Sequence, residues 1–581
     1  MTHSNSIRGL VARCFTGLAL VAGALVAGTA QAAVPGIIGG PATATAVTFN
    51  LAASPGYTSQ PDGTQVYTWG YGCGMAGSTA AAGIAPAASA PAGFLPANLS
   101  VTPSCGLMQL PGPTLIVTEG QLVTVNLYNG LPAVAGNTSI VFSGFATAAT
   151  GGVQGPVAQE VAPGKTITYT FTAGNPGTYA YYSGTRPELQ IDMGLYGAIV
   201  VLPKSAVPAA GCAADNKTLR ALSLGKVGGI DYRNVTAVNG AAAAMDHPET
   251  CYDREYLFQL SEMDSNIHQA VLACVNAGTA VCPQIDVVTD PYHPNYYVIN
   301  GRSFPDNMDP NYAPMYPNQP YNSDPQIHPG ETMLLRVVGQ GREQHPFHIH
   351  ANHGRVLARD GNMLLAANDP NLTTTTPTAA TATQPALPGG NYARLAGPLY
   401  YTVPTVPGQG QDLIFGYTAK GLNWDIYAHG LNSGTPLPVG PTTKATAASD
   451  SHPCYPDANG FYTVNSSPPA PPTAPNYNEW CADHNKPIPI TPPDPQIVAN
   501  GLWYGGTPYL GLNQIPVGGG SPQFLSTPLP PGTTIQNPTA GYAFMWHSHA
   551  ERELTTNNVF PGGMMMMLVV QPPSAVIDET N

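Results

Sequence analysis

The stretch Pro111-Gly112-Pro113-Thr114-Leu115-Ile116-Val117-Thr118-Glu119-Gly120 runs directly into Gln121-Leu122-Val123-Thr124-Val125-Asn126-Leu127. A turn set by proline and glycine is followed by Val123, Val125 and Leu127 alternating with Thr124 and Asn126, the period-two pattern of a strand with one buried face. The unit recurs: Ala162-Pro163-Gly164-Lys165 precedes Thr166 to Phe171, and closing strands are expected over 177–183 and 194–201. The same order returns in the second half. His328-Pro329-Gly330-Glu331-Thr332 precedes Met333 to Val338, and Val406-Pro407-Gly408-Gln409 precedes Leu413-Ile414-Phe415. A duplicated β-sandwich follows from that repetition.

Composition agrees with it. The 581 residues include 64 glycines and 61 prolines and only 9% charged residues, which favours a turn-rich all-β fold over helices. Residues 44–203 are expected to form the first domain and 218–572 the second, with a Pro/Gly-rich insertion at 431–525. The alternative division is 218–440 and a stunted third domain over 441–572. Residues 365–390 read as an exposed loop.

Residues 1–32 carry Arg8 and Arg13, an apolar run from Phe15 to Gly28 and the small-residue ending Ala30-Gln31-Ala32. This is the pattern of a cleaved secretory signal and predicts a secreted or periplasmic protein. No later stretch supplies the roughly twenty apolar residues of a membrane span. Beyond Cys14 the cysteines are Cys73, Cys105, Cys212, Cys251, Cys274, Cys282, Cys454 and Cys481, an even set that favours four disulfides in an exported chain. Spacing leaves their connectivity open; pairing in sequential order is the expectation. The net charge of −13, with no basic run, argues against nucleic acid as a partner.

The chemistry concentrates in two places. His345-Pro346-Phe347-His348-Ile349-His350-Ala351-Asn352-His353 holds four histidines in nine residues, and Trp546-His547-Ser548-His549 holds two more. Histidines two residues apart on a strand project from the same face, so both motifs present paired imidazoles to one ion. Imidazole suits copper, zinc, iron and nickel alike.

His345-Pro346-Phe347-His348-Ile349-His350, Pro111-Gly112-Pro113-Thr114 with Glu119-Gly120, Tyr297 to Asp306, and Pro561-Gly562-Gly563-Met564 together resemble the multicopper oxidases. Asp253-Arg254-Glu255-Tyr256 and Leu260-Ser261-Glu262 look like the opening of that family's next domain. The resemblance implies cupredoxin-like Greek-key sandwiches and copper as cofactor. By that resemblance His345 faces the type-1 copper position, His348 the type-2 position, and His350, His547 and His549 the type-3 positions.

This chain departs from the family pattern in three places. Val141-Phe142-Ser143-Gly144 stands where the family has His-Trp-His-Gly, and Tyr181-Tyr182-Ser183-Gly184 where it has Tyr-His-Ser-His; no histidine lies between Ala33 and Pro203. Ser548 replaces the thiolate that makes a type-1 copper blue, and Glu553 stands where a trailing histidine is expected. A reduced site is therefore predicted. His348, His350, His547 and His549 would share one copper or zinc ion at the domain interface, with Tyr182 within reach. His345 with Glu551 or Glu553 would make a second, weaker position. His353 and His429 are reserves, and His247, His268, His293, His328, His452 and His484 lack a partner at ligand spacing. Met564 to Met567 read as a closing core strand. The expected function is that of a secreted copper-binding protein acting as a copper-dependent oxidoreductase on small reductants or oxygen, without a blue centre. The alternative is a non-enzymatic extracellular metal-binding or structural protein.

Overall fold

The computed structural model describes residues 34–40, 44–74, 93–95, 105–204, 242–245, 247, 250–252, 254–327, 332–365, 395–417, 455–456, 462–463, 506–509, 514–515, 523–524, 541–570 and 577. The expected signal, most of the 365–390 loop and the 431–525 insertion, Cys212, Cys454, Cys481, His328, His429, His452 and His484 lie outside them.

The opening stretch spans both layers of the first sandwich. Leu115–Thr118 pairs in parallel with Gly36–Ile38 and Tyr196–Leu202 in a six-stranded sheet that ends with Gly177–Tyr182 and Val141–Phe142. Leu122–Asn129 lies in the opposite five-stranded sheet, between Ala46–Ser59 and Thr166–Thr172. The chain crosses between the layers at Glu119 and Gly120, and Gly120 adopts φ 82°, a conformation that glycine takes without steric cost. Val123, Val125 and Leu127 point inward as the alternation requires, onto Trp69, Tyr71, Ile167 and Tyr181.

The second sandwich repeats the plan. One sheet orders Tyr296–Ile299, Arg254–Met263, Thr332–Gly339, Gly410–Gly416, Gly354–Arg359 and Asn362–Met363. The other orders Gln326–Ile327, Met565–Val570, Gly541–Ser548, His345–Ile349 and Thr402–Thr405. The C-terminal strands thus complete the second sandwich. Phe347, Ile349, Trp546, Met564, Met566 and Leu568 fill its core with Phe258, Leu335 and Phe415, so the methionine run is a closing core strand.

The two sandwiches meet through the sheet that holds Arg254–Met263, Thr332–Gly339 and Gly410–Gly416. Arg336, fully buried, pairs with Glu255 at 2.8 Å and Asp412 at 3.1 Å, while Asp412 accepts hydrogen bonds from the backbone N–H and hydroxyl of Thr178 in the first sandwich. Gln340 donates to the carbonyl of Gly197, and the hydroxyls of Tyr196 and Ser261 bond to each other.

The pattern did not announce the helix Ser265–Ala277. Asp264 caps it by accepting from the Asn266 N–H, and Cys274–Cys282 staples its end. Cys73–Cys105 is also formed, so two of the four sequential pairs are present; the other two involve residues not described.

Candidate metal centre

His348 and His350 alternate with Phe347 and Ile349, whose side chains enter the core. His547 likewise alternates with Trp546 and Ser548. The register sets His348 directly opposite His547 and Phe347 opposite Ser548. His348, His350 and His547 therefore cluster on the outer face of the sheet, with ring centroids of His348 4.7 Å from His350, 5.5 Å from His547 and 4.9 Å from His549. His348, His350 and His547 are buried, whereas His549 is exposed. The adjacency expected from the sequence holds. The expected direction does not, because the first sandwich packs against the other sheet. Strand alternation puts these rings on the face turned away from it.

The polar surroundings set the state of the rings. His547 Nδ1 lies 2.7 Å from the carbonyl of Ser548, which can only accept, so Nδ1 carries the proton and Nε2 a lone pair. That Nε2 is 3.2 Å from Nε2 of His350. Two nitrogens bound to one tetrahedral ion at 2.0–2.1 Å stand about 3.3 Å apart, so this pair is already at ligand spacing. Nδ1 of His348 is held at 2.6 Å by the Thr402 hydroxyl. Burial, then the neighbouring His547 and His549, pushes His348 down to about 4, and burial also lowers His547. Both rings are neutral near pH 7, the form that binds metal. As placed, no set of three such side chains among the described residues surrounds a common point. The donor set fits one copper or zinc ion on chemical grounds.

The remaining candidates separate. Tyr182 lies against Gly408 and within 3.5 Å of the Ser143 hydroxyl, not with the four histidines. Instead the exposed Tyr401, unremarked in the sequence, sits edge-on to both His348 and His353. Glu551 is exposed. His268 bonds to the carbonyls of Tyr67 and Asp192 between the helix and the first sandwich.

His345 points the opposite way, into the sandwich, and both ring nitrogens are taken: Nε2 by Glu262 and Nδ1 by Glu553, each at 2.9 Å. The Ser548 hydroxyl donates to the same Glu553 oxygen. Serine stands in place of a thiolate, and the imidazole has no nitrogen left for a copper ion, so a type-1 copper does not fit here. The sequence marks Glu262 only as part of Leu260-Ser261-Glu262 and not as a site residue; the fold alone brings it to a residue 83 positions away.

In the first sandwich, the two segments that carry no histidine are neighbours. Val141 and Phe142 pair with Tyr182 and Tyr181, and Phe142 and Tyr181 are buried with ring centroids 6.2 Å apart. Aromatic packing fills the sheet where the family resemblance led one to look for imidazoles.

The fold is thus a pair of cupredoxin-like sandwiches with a histidine cluster on the outer face of one sheet. The multicopper oxidase family profile matches residues 107–206. A multicopper oxidase of Talaromyces pinophilus is 40% identical over 103 residues, covering 17% of this chain and 16% of that protein. A copper-containing nitrite reductase of Neisseria meningitidis serogroup A is 37% identical over 100 residues, 17% of this chain and 25% of the reductase. A laccase of Aspergillus fumigatus is 35% identical over 99 residues, 16% of each. The chain thus spans a quarter or less of the length of these relatives. Over residues 107–206 it is similar to the multicopper oxidase family, whose implied metal is copper. The stretch that the family profile matches contains no histidine.

Proposed function

We propose that the chain is an exported copper-binding oxidoreductase whose metal centre is the cluster His348, His350, His547 and His549, and which lacks a blue copper. The observation that supports it most directly is the 3.2 Å approach of His350 and His547, with the second nitrogen of His547 tied to a backbone carbonyl. That outer bond orients a ligating imidazole and raises its basicity. Bound there, copper would supply one-electron exchange with small reductants or with oxygen. The protein's own contribution is to hold neutral imidazoles on a rigid sheet, with Thr402 and the Ser548 carbonyl fixing ring direction. Tyr401 is placed to line the approach to His348. Export rests on the Arg8 to Ala32 pattern. No helix of the described residues is long and apolar enough to cross a membrane.

A non-enzymatic reading, in which the ion only stabilises the fold, keeps the same ligands. Copper-loaded full-length protein separates the two by metal analysis, EPR and oxygen uptake. The oxidoreductase reading requires a nitrogen-ligated copper signal that a small reductant bleaches and air restores. A bound copper that resists reduction and only raises the melting temperature supports the structural reading. Protein that stays metal-free in copper excess rejects both.

A further inference from the structure

The hydrogen bonds around His345 determine where the protons are. Glu262 accepts at Oε1 from the backbone N–H groups of Arg342 and Glu343, at 2.6 and 3.1 Å. Its other oxygen faces His345 Nε2. A carboxyl group surrounded by donors is ionised, so His345 Nε2 carries a hydrogen. On the opposite side, Ser548 Oγ accepts from the Ala550 N–H at 3.2 Å and gives its own proton to Glu553 Oε2, the oxygen that also faces His345 Nδ1. As a carboxylate oxygen it can only accept, from the serine hydroxyl and from Nδ1. Both ring nitrogens donate, and the ring is an imidazolium.

We propose that the position at which the family resemblance puts a type-1 copper is filled in this protein by an internal cation, the His345 imidazolium clamped between Glu262 and Glu553, which closes the position to metal. The clamp satisfies the requirements of a buried charge: opposite charges on both sides and both ring nitrogens bonded. It also joins three elements, the strands Arg254–Met263 and His345–Ile349 and the short turn of helix Glu551–Leu554. The Tyr292 hydroxyl donates to Asp192 of the first sandwich at 2.7 Å and lies 3.3 Å from Glu262 Oε1. Gly341 turns the chain over Glu262 with φ 70°, and a Cβ there would strike the carboxylate, so the turn is shaped around that group. The proposal does not depend on the metal content of the outer histidine cluster.

The test is anomalous diffraction at the copper edge from copper-soaked crystals of the whole chain, together with the visible spectrum of Ser548→Cys. The expected result is no copper at ligand distance from either nitrogen of His345, and a Ser548→Cys protein without the intense charge-transfer band of a copper–thiolate bond. A copper ion on His345, or a blue Ser548→Cys protein, overturns the clamp. In solution, nitrogen-15 NMR of labelled histidines must show two donated ring protons that vanish in His345→Gln and persist when copper is added; a single ring proton, marking a neutral His345 beside a protonated Glu553, overturns it too. A crystal with no copper at His348, His350, His547 or His549 would sink the proposed metal centre and leave the clamp standing.

Discussion

His348 and His547 face each other across the antiparallel strands His345–Ile349 and Gly541–Ser548, while the residues beside them, Phe347 and Ser548, face each other on the opposite side of the same sheet. One register thus builds a metal-competent outer face and a closed inner one. A slip of one residue would exchange them.

The outer face is expected to lose copper when its supports are removed. Thr402→Val deletes the hydroxyl that holds His348 Nδ1 and should weaken copper binding about 10–100-fold, the usual effect of an outer-shell partner. His547→Ala should abolish stoichiometric binding. Competition with a copper chelator measures both, and unchanged affinity in Thr402→Val would show that His348 is not a ligand.

Arg336 ties the sandwiches together and should be costly to remove. Arg336→Ala leaves Glu255 and Asp412 buried without their cation, with an expected loss of roughly 3–5 kcal/mol. Glu188→Ala, which removes only the more exposed partner of the Arg186 pair, should cost about 0–1 kcal/mol. Urea unfolding of the two variants side by side tests the contrast.

The clamp gives stability a defined alkaline limit. Although burial opposes the charge, the hydrogen bonds and charges of Glu262 and Glu553 raise His345 to about 9. Because the folded value lies above the unfolded value of about 6.5, the contribution is complete below that pH and is lost as pH rises through 9. Melting temperature should fall between pH 7 and 9.5, and the fall should be smaller in His345→Gln. Equal slopes would contradict the assignment.

Cys73–Cys105 closes a loop of 32 residues at the edge of the first sandwich. Replacing both cysteines by alanine should lower stability by about 3–4 kcal/mol. Thermal unfolding of the double variant under oxidising conditions provides the measurement, and an unchanged melting temperature would show that the bridge adds nothing.

Much of the fold is legible in local pattern. The alternation Val123, Val125, Leu127 and the glycine turn at 120 specify a strand with one buried face, and their counterparts in the second half specify another. The helix Ser265–Ala277 is harder to see, since only Ile267, His268, Val271 and Cys274 of it are buried, a sparse stripe beside the first sandwich. Among site residues, His348, His350, His547 and His549 stand out because ligand spacing on a strand is a local property. Glu262, Thr402 and Tyr401 carry no such mark, being brought in by pairing and packing over long separations.

By itself, the sequence determined that this is a duplicated β-sandwich whose first domain offers no imidazole and whose second offers two paired sets. The tertiary structure alone decided which way each histidine faces. Strand alternation sends His348 and His547 outward as neutral rings and His345 inward between two carboxylates, and a buried imidazole that donates on both sides is held as a cation.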